Sequence, residues 1–183
     1  MRHLIDATRQ ALADKNWYAA LALALTFPDI CQKATSPEMR SSKERYSVWY
    51  DRYLLPTYTR SIDAIGFTTV YMTALDCYAL RCAYLHQGEF STSEQSAKQA
   101  LERFFFTASP DGTGGSHCSR FNEVLNLDVA SFCNDVLRAV EQWLLDVESD
   151  PAIAERIARF GTIHEGSGVL VIVGEKTHIE ARP

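Results

Sequence analysis

Four large aromatic residues, Tyr46, Trp49, Tyr50 and Tyr53, follow the i, i+3, i+4, i+7 spacing of one helical face. In a strand, neighbours such as Trp49 and Tyr50 would point to opposite sides, so the spacing commits this stretch to a helix. The helix is expected from Ser41 or Ser42 to Leu55, ending before Pro56. An aromatic stripe this wide reads as a core face, which makes the chain a packed helical protein. The same period in Leu4, Ile5, Thr8, Ala11 and Leu12 predicts a short amphipathic helix over Arg2–Asp14. Asp14 can cap a second helix through Trp17, Leu21 and Leu25, which Pro28 is expected to end. The segment Asp29–Met39, with Thr35-Ser36-Pro37, then reads as a connection, and Thr57–Gly66 as a loop. A long helix is expected from about Phe67 to His86, with Gly88 in the C-cap position. Ser91-Thr92-Ser93-Glu94 has the pattern of a capping box and predicts the start of another helix.

The pattern changes near Arg103. Phe104-Phe105-Phe106-Thr107 favours a strand, and the Gly-rich run Ser109–Ser116 a flexible loop. Asp128 or Ser131 starts a helix with Val129, Phe132, Val136, Val140, Trp143 and Leu144 inward, and Asp150-Pro151 opens a short one through Ala158. The stretch Gly161–Gly174 predicts a hairpin: Thr162-Ile163, a Gly166-Ser167-Gly168 turn, then Val169–Val173. The expected fold class is mainly α, a single domain over 1–183. It comprises a helical bundle over about 1–101, then a strand, loop, helices and C-terminal hairpin over about 102–174 with a small antiparallel β element.

Composition narrows the function classes. With 46% hydrophobic and 22% charged residues the chain is not of the disordered type. Its longest apolar run, Trp17–Leu25, is far short of the roughly 20 residues that span a bilayer, and no signal pattern opens it, so a cytoplasmic location without membrane partners is expected. The five cysteines are scattered without zinc or redox spacing and read as buried thiols. His117-Cys118, after the Gly-rich run, has no companion pair and reads as a solvated loop; neither a metal nor a cofactor is expected. A net charge of −5 disfavours nonspecific nucleic-acid binding. The charge is uneven, however: Arg40, Lys43, Arg45, Arg52 and Arg60 concentrate between Met39 and Ile62, and acids dominate from Phe121 to Glu155. Arg40, Lys43, Arg45 and Arg52 are therefore weak candidates for RNA-phosphate contacts beside the aromatic stripe.

The stretch Leu80-Arg81-Cys82-Ala83-Tyr84-Leu85-His86-Gln87-Gly88 puts an arginine and a histidine at the end of an apolar helix. The spacing alone is weak, since Arg159–His164 repeats it. Arg159 and His164 straddle Gly161, whereas Arg81 and His86 share one helix. Five positions set their side chains about 140° apart around the axis, so either unwinding near Gly88 or a second copy of the chain is needed to bring such groups into one cleft. Metal-free RNA cleavage needs a base for the 2′-hydroxyl, an acid for the leaving 5′-oxygen and a cation for the phosphorane. Arginine and histidine supply those groups. The stretch resembles the motif of the HEPN superfamily, whose members are all-helical, often dimeric ribonucleases or inactive nucleotide- and RNA-binding modules. The resemblance implies a homodimeric, metal-independent endoribonuclease with Arg81 and His86 as its catalytic pair. The alternative is a catalytically inactive helical interaction or regulatory module with a protein partner, in which Arg81 pairs with Asp76 or another acid.

Overall fold

The computed structural model describes residues 1–62, 66–96, 99, 101–109, 116–161, 163, 169–173 and 176–180. Helix α1 (Arg2–Ala13) leads into α2 (Trp17–Thr35), which Asn16 caps by accepting the Ala19 N–H at 3.3 Å. α2 is longer than its sequence suggests: Pro28 lies inside it, and Asp29–Thr35 is helix rather than connection. A proline in a helix interior costs about 3 kcal/mol. Burial of Phe27, Cys31 and Ala34 on either side of Pro28 offsets that cost. The alanine-rich face of α2 lets neighbours approach closely, and α1, α3 (Ser42–Tyr53), α4 (Ala74–Gln87), α5 (Val129–Val147) and α6 (Pro151–Ala158) all pack against it.

The aromatic stripe of α3 is core, as its spacing implies. Tyr46, Trp49 and Tyr50 are buried, and the Tyr50 hydroxyl donates to the Met72 carbonyl at 2.9 Å. Tyr53 sits at the edge, donating to Asp146 at 3.1 Å. Between α3 and α4 the chain forms an antiparallel ribbon, β1 (Thr59–Ile62) with β2 (Phe67–Val70), where a loop and the start of a long helix were expected. Phe67-Thr68-Thr69-Val70 is β-branched and aromatic, and that composition outweighs the apolar positions that fit a helical period. α4 instead starts at a true capping box: Asp76 N–H donates to Thr73 Oγ1 at 3.2 Å, and Thr73 N–H to Asp76 Oδ2 at 3.4 Å. Gly88 closes α4 in the left-handed conformation at φ 73°, as expected.

The capping-box pattern at Ser91–Glu94 starts no helix among the described residues. Thr92, fully buried, pairs instead with the approach to β3 (Arg103–Thr107): its N–H meets the Glu102 carbonyl at 2.8 Å and its hydroxyl the Leu101 carbonyl at 2.6 Å. The expected Phe104–Thr107 strand is present in β3. It runs parallel to β5 (Val124–Asp128), with β4 (Ser119–Phe121) antiparallel on the other side, so the order is β3-β5-β4 and the sheet is mixed rather than only antiparallel. Phe104, Leu125 and Leu127 point inward, and the Phe106 ring meets Phe132 of α5 edge-on at 6.0 Å. Asp128 caps α5, and Asp150 caps α6 at Pro151, both as the sequence predicts. The terminal hairpin is displaced along the chain. Val169–Val173 forms β6 and pairs with β7 (Lys176–Glu180), while the Gly166-Ser167-Gly168 segment lies outside the described residues. The architecture is thus mainly α with small sheets, and among the described residues no helix is long and apolar enough to cross a membrane.

Candidate functional site

Arg81 and His86 both fall in α4, but they face different surroundings. Arg81 turns inward: its side chain is 17% exposed, and its guanidinium lies 5.8 Å from the Tyr78 ring centroid. Its acid is Asp29 of α2, at 4.0 Å from Nη2, and not Asp76. Asp76 is occupied elsewhere, accepting the backbone N–H groups of Gln99 at 2.8 Å and Leu101 at 3.0 Å. His86 stands in the last turn of α4, exposed. One copy of the helix therefore does not bring the two groups together.

Asp29 serves two guanidiniums. Arg45 of α3 holds Oδ1 through Nε at 2.7 Å and is itself fixed by Nη1 donating to the carbonyls of Met39 at 2.7 Å and Arg40 at 2.9 Å. With its side chain 12% exposed, Arg45 ties α2, α3 and the turn between them, a structural task. Arg81 takes the second oxygen at a distance beyond hydrogen-bond length. Its Nε–H is buried and has no acceptor among the described residues. A buried donor without a partner costs on the order of 1–3 kcal/mol, a cost that sets Arg81 apart from Arg45, whose Nε–H is bonded.

The remaining basic candidates do not form one track. Arg40 and Lys43 are exposed. Arg52 reaches Asp146 of α5 at 3.0 Å and lies over the Tyr53 ring at 5.0 Å. His164 of the second Arg–His match lies outside the described residues.

A second cluster escaped the sequence. His117, expected in a solvated loop, is only 23% exposed at its side chain, and its Nε2 lies 3.1 Å from Asp135 Oδ2 on α5. The Tyr58 hydroxyl donates to the same oxygen at 3.1 Å, and Arg138 bonds the other. The Asp128 N–H donates to His117 Nδ1 at 3.3 Å. Burial works against a charge on His117, but the hydrogen bonds to Asp135 and Cys118 outweigh it and carry the pKa up to about 9. The Asp128 N–H favours the neutral ring and opposes that rise; the shorter contact to a carboxylate is the stronger of the two. Cys118 adopts a φ of 55°, a conformation uncommon for residues other than glycine. Nothing local in the sequence joins His117 to Asp135 or Tyr58; Asp135 at an inward position of an amphipathic helix was the available signal, because a buried carboxylate requires partners. Elsewhere burial pushes the thiols of Cys77 and Cys133 up to about 12, which makes them inert packing groups, as the scattered cysteines suggested. Among the described residues no cluster of His, Cys, Asp and Glu could hold a metal.

The chain matches no protein-family model, no curated protein and no solved structure.

Proposed function

We propose that the chain is a HEPN-like phosphate-binding protein, acting as or descended from a metal-independent endoribonuclease, with its site completed by a second copy. The observation that carries this reading is the state of Arg81. It is a permanently charged fork, loosely neutralised by a carboxylate that Arg45 already holds, with a buried Nε–H that lacks an acceptor among the described residues. A phosphate oxygen is the natural acceptor for such a group. His86 is exposed in the last turn of the same helix. In a two-fold pair, one His86 takes the 2′-hydroxyl proton and the other protonates the leaving 5′-oxygen, while Arg81 carries the phosphorane charge.

The test is cleavage of single-stranded RNA in EDTA. Products should end in 2′,3′-cyclic phosphate, and Arg81→Ala and His86→Ala should each lower the rate at least a hundredfold with unchanged circular dichroism. Cross-linking of His86→Cys to its mate should succeed with a short reagent. Folded variants that cleave as fast as the parent protein would end this reading.

A second reading, a catalytically silent interaction module, has its own support. Arg81 is only 17% exposed, and active members of the superfamily commonly carry a polar residue directly after the arginine, where this chain has Cys82. It predicts no cleavage by the parent protein, with both substitutions leaving partner binding intact.

A further inference from the structure

A groove of about 410 Å³ lies beside the Asp29 cluster, between the start of α1, the second half of α2, Arg45 of α3 and the turn after α6. Leu4, Ile30 and Phe160 form its apolar wall; Asp29, Lys33 and Arg45 form its polar end. We propose that this groove is a binding site for a small organic carboxylate with an apolar body.

Charge decides the sign of the ligand. Asp29 is the one acid lining the groove among the described residues, and it is bound by Arg45 on one oxygen and faced by Arg81 on the other. Lys33 lies one helical turn beyond Asp29 on α2 and lines the same groove, its ammonium donating to the Pro37 carbonyl. Lys33 and Arg45 therefore line the polar end against one carboxylate, with Arg81 on the other side of Asp29, and that end keeps a surplus of positive charge on a protein whose net charge is −5. Donors remain for a ligand: among the described residues the bonds of Arg45 employ Nε and Nη1 and leave Nη2, and the Lys33 ammonium gives one of its three N–H groups to the Pro37 carbonyl.

Shape and polarity decide the rest. Small-molecule sites are mostly apolar clefts of about 300–1,000 Å³ with a few convergent polar groups, and this groove lies at the lower end of that range. It also continues. A neighbouring groove of about 550 Å³ shares His3 and Phe160 with it and is walled by Leu144, Val147 and Ile157. His3 and Phe160 form the border between the two, and Arg2 and Glu148 stand on the far groove, so an apolar wall beside the Lys33–Arg45 end suits a carboxylate head followed by a short hydrocarbon tail. The site requires neither His86 nor a second copy and stands or falls apart from RNA cleavage.

The experiment is isothermal titration of the full chain with octanoate, butanoate, octylamine and octan-1-ol. Octanoate should bind at least tenfold more tightly than butanoate, because each buried methylene contributes roughly a factor of four. It should also bind at least tenfold more tightly than octylamine or octan-1-ol. Lys33→Gln, at an exposed position, should weaken octanoate binding about fivefold with an unchanged melting temperature, and Ile30→Trp should block the groove. His86→Ala should leave the titration as it was. Octylamine binding as tightly as octanoate, Lys33→Gln leaving the affinity unchanged, or no heat with octanoate at millimolar concentration would each overturn the proposal.

Discussion

Two carboxylates organise this protein in opposite ways. Asp135, 6% exposed, is saturated: Tyr58 and His117 share one oxygen, Arg138 takes the other, and the residues it joins come from the helix, the segment before β1 and the segment before β4. Asp29 is over-supplied: two arginines compete for it, one wins at 2.7 Å, and the other is left at 4.0 Å with an N–H to spare. A saturated network fixes geometry and has nothing to offer a ligand. An over-supplied one leaves a charge that no described residue fully answers. Capacity for chemistry therefore lies beside the loosely held arginine, not in the better-bonded cluster.

Removing the saturated acid should do the most damage. Asp135→Ala leaves the buried Tyr58 hydroxyl and half-buried His117 without their acceptor and should cost about 3–5 kcal/mol, read as a fall in the urea midpoint at constant slope. A loss below about 1 kcal/mol would show that the network is not a stabilising hub.

Next comes the contrast within the Asp29 cluster. Arg45→Ala removes a short ion pair and two caps to backbone carbonyls and should cost about 2–4 kcal/mol. Arg81→Met keeps much of the packing volume and removes only the looser contact, so it should cost less than about 1 kcal/mol. Equal losses in the two variants would mean that Asp29 holds Arg81 as firmly as it holds Arg45, and the asymmetry on which the proposed role of Arg81 rests would vanish.

A pH dependence of stability falls between the Arg45 and Arg81 effects in size. The folded-state pKa of His117 is raised to about 9 from an ordinary 6.5, so its charge adds stability that is fully present below pH 6.5 and is lost as pH rises through 9. The Asp128 N–H on Nδ1 trims the gain, leaving on the order of 1–2 kcal/mol between pH 6 and pH 9.5. His117→Gln should flatten the stability curve over that interval. Persistence of the slope in this variant would place the titration on another group.

Much of the helical frame could be read from local signals. The stripe at Tyr46, Trp49 and Tyr50, the Asp128 and Asp150 caps and the Gly88 terminator all act within a few residues, and all appear where their spacing puts them. Pro28 misled because the burial that keeps α2 intact around it comes from five other helices. Ser91–Glu94 misled because the Thr92 N–H and hydroxyl go to Glu102 and Leu101, and only its carbonyl engages the following turn by accepting the Gln95 N–H. The candidate site was legible only as residue types. That Arg81 is inward and His86 exposed follows from helical geometry; that the acid is Asp29, in a segment expected to be a connection, depends on how α2 and α4 pack. The His117 cluster joins residues 18 and 77 positions from one another, beyond the reach of any spacing rule.

Asp76 has a mechanical consequence. One of its oxygens closes the cap that starts α4, and the other receives the Gln99 and Leu101 amides just ahead of β3. A single carboxylate thus rivets the helix that carries Arg81 to the entrance of the mixed sheet. A pull on the entrance to β3 is therefore passed through this carboxylate to the first turn of α4.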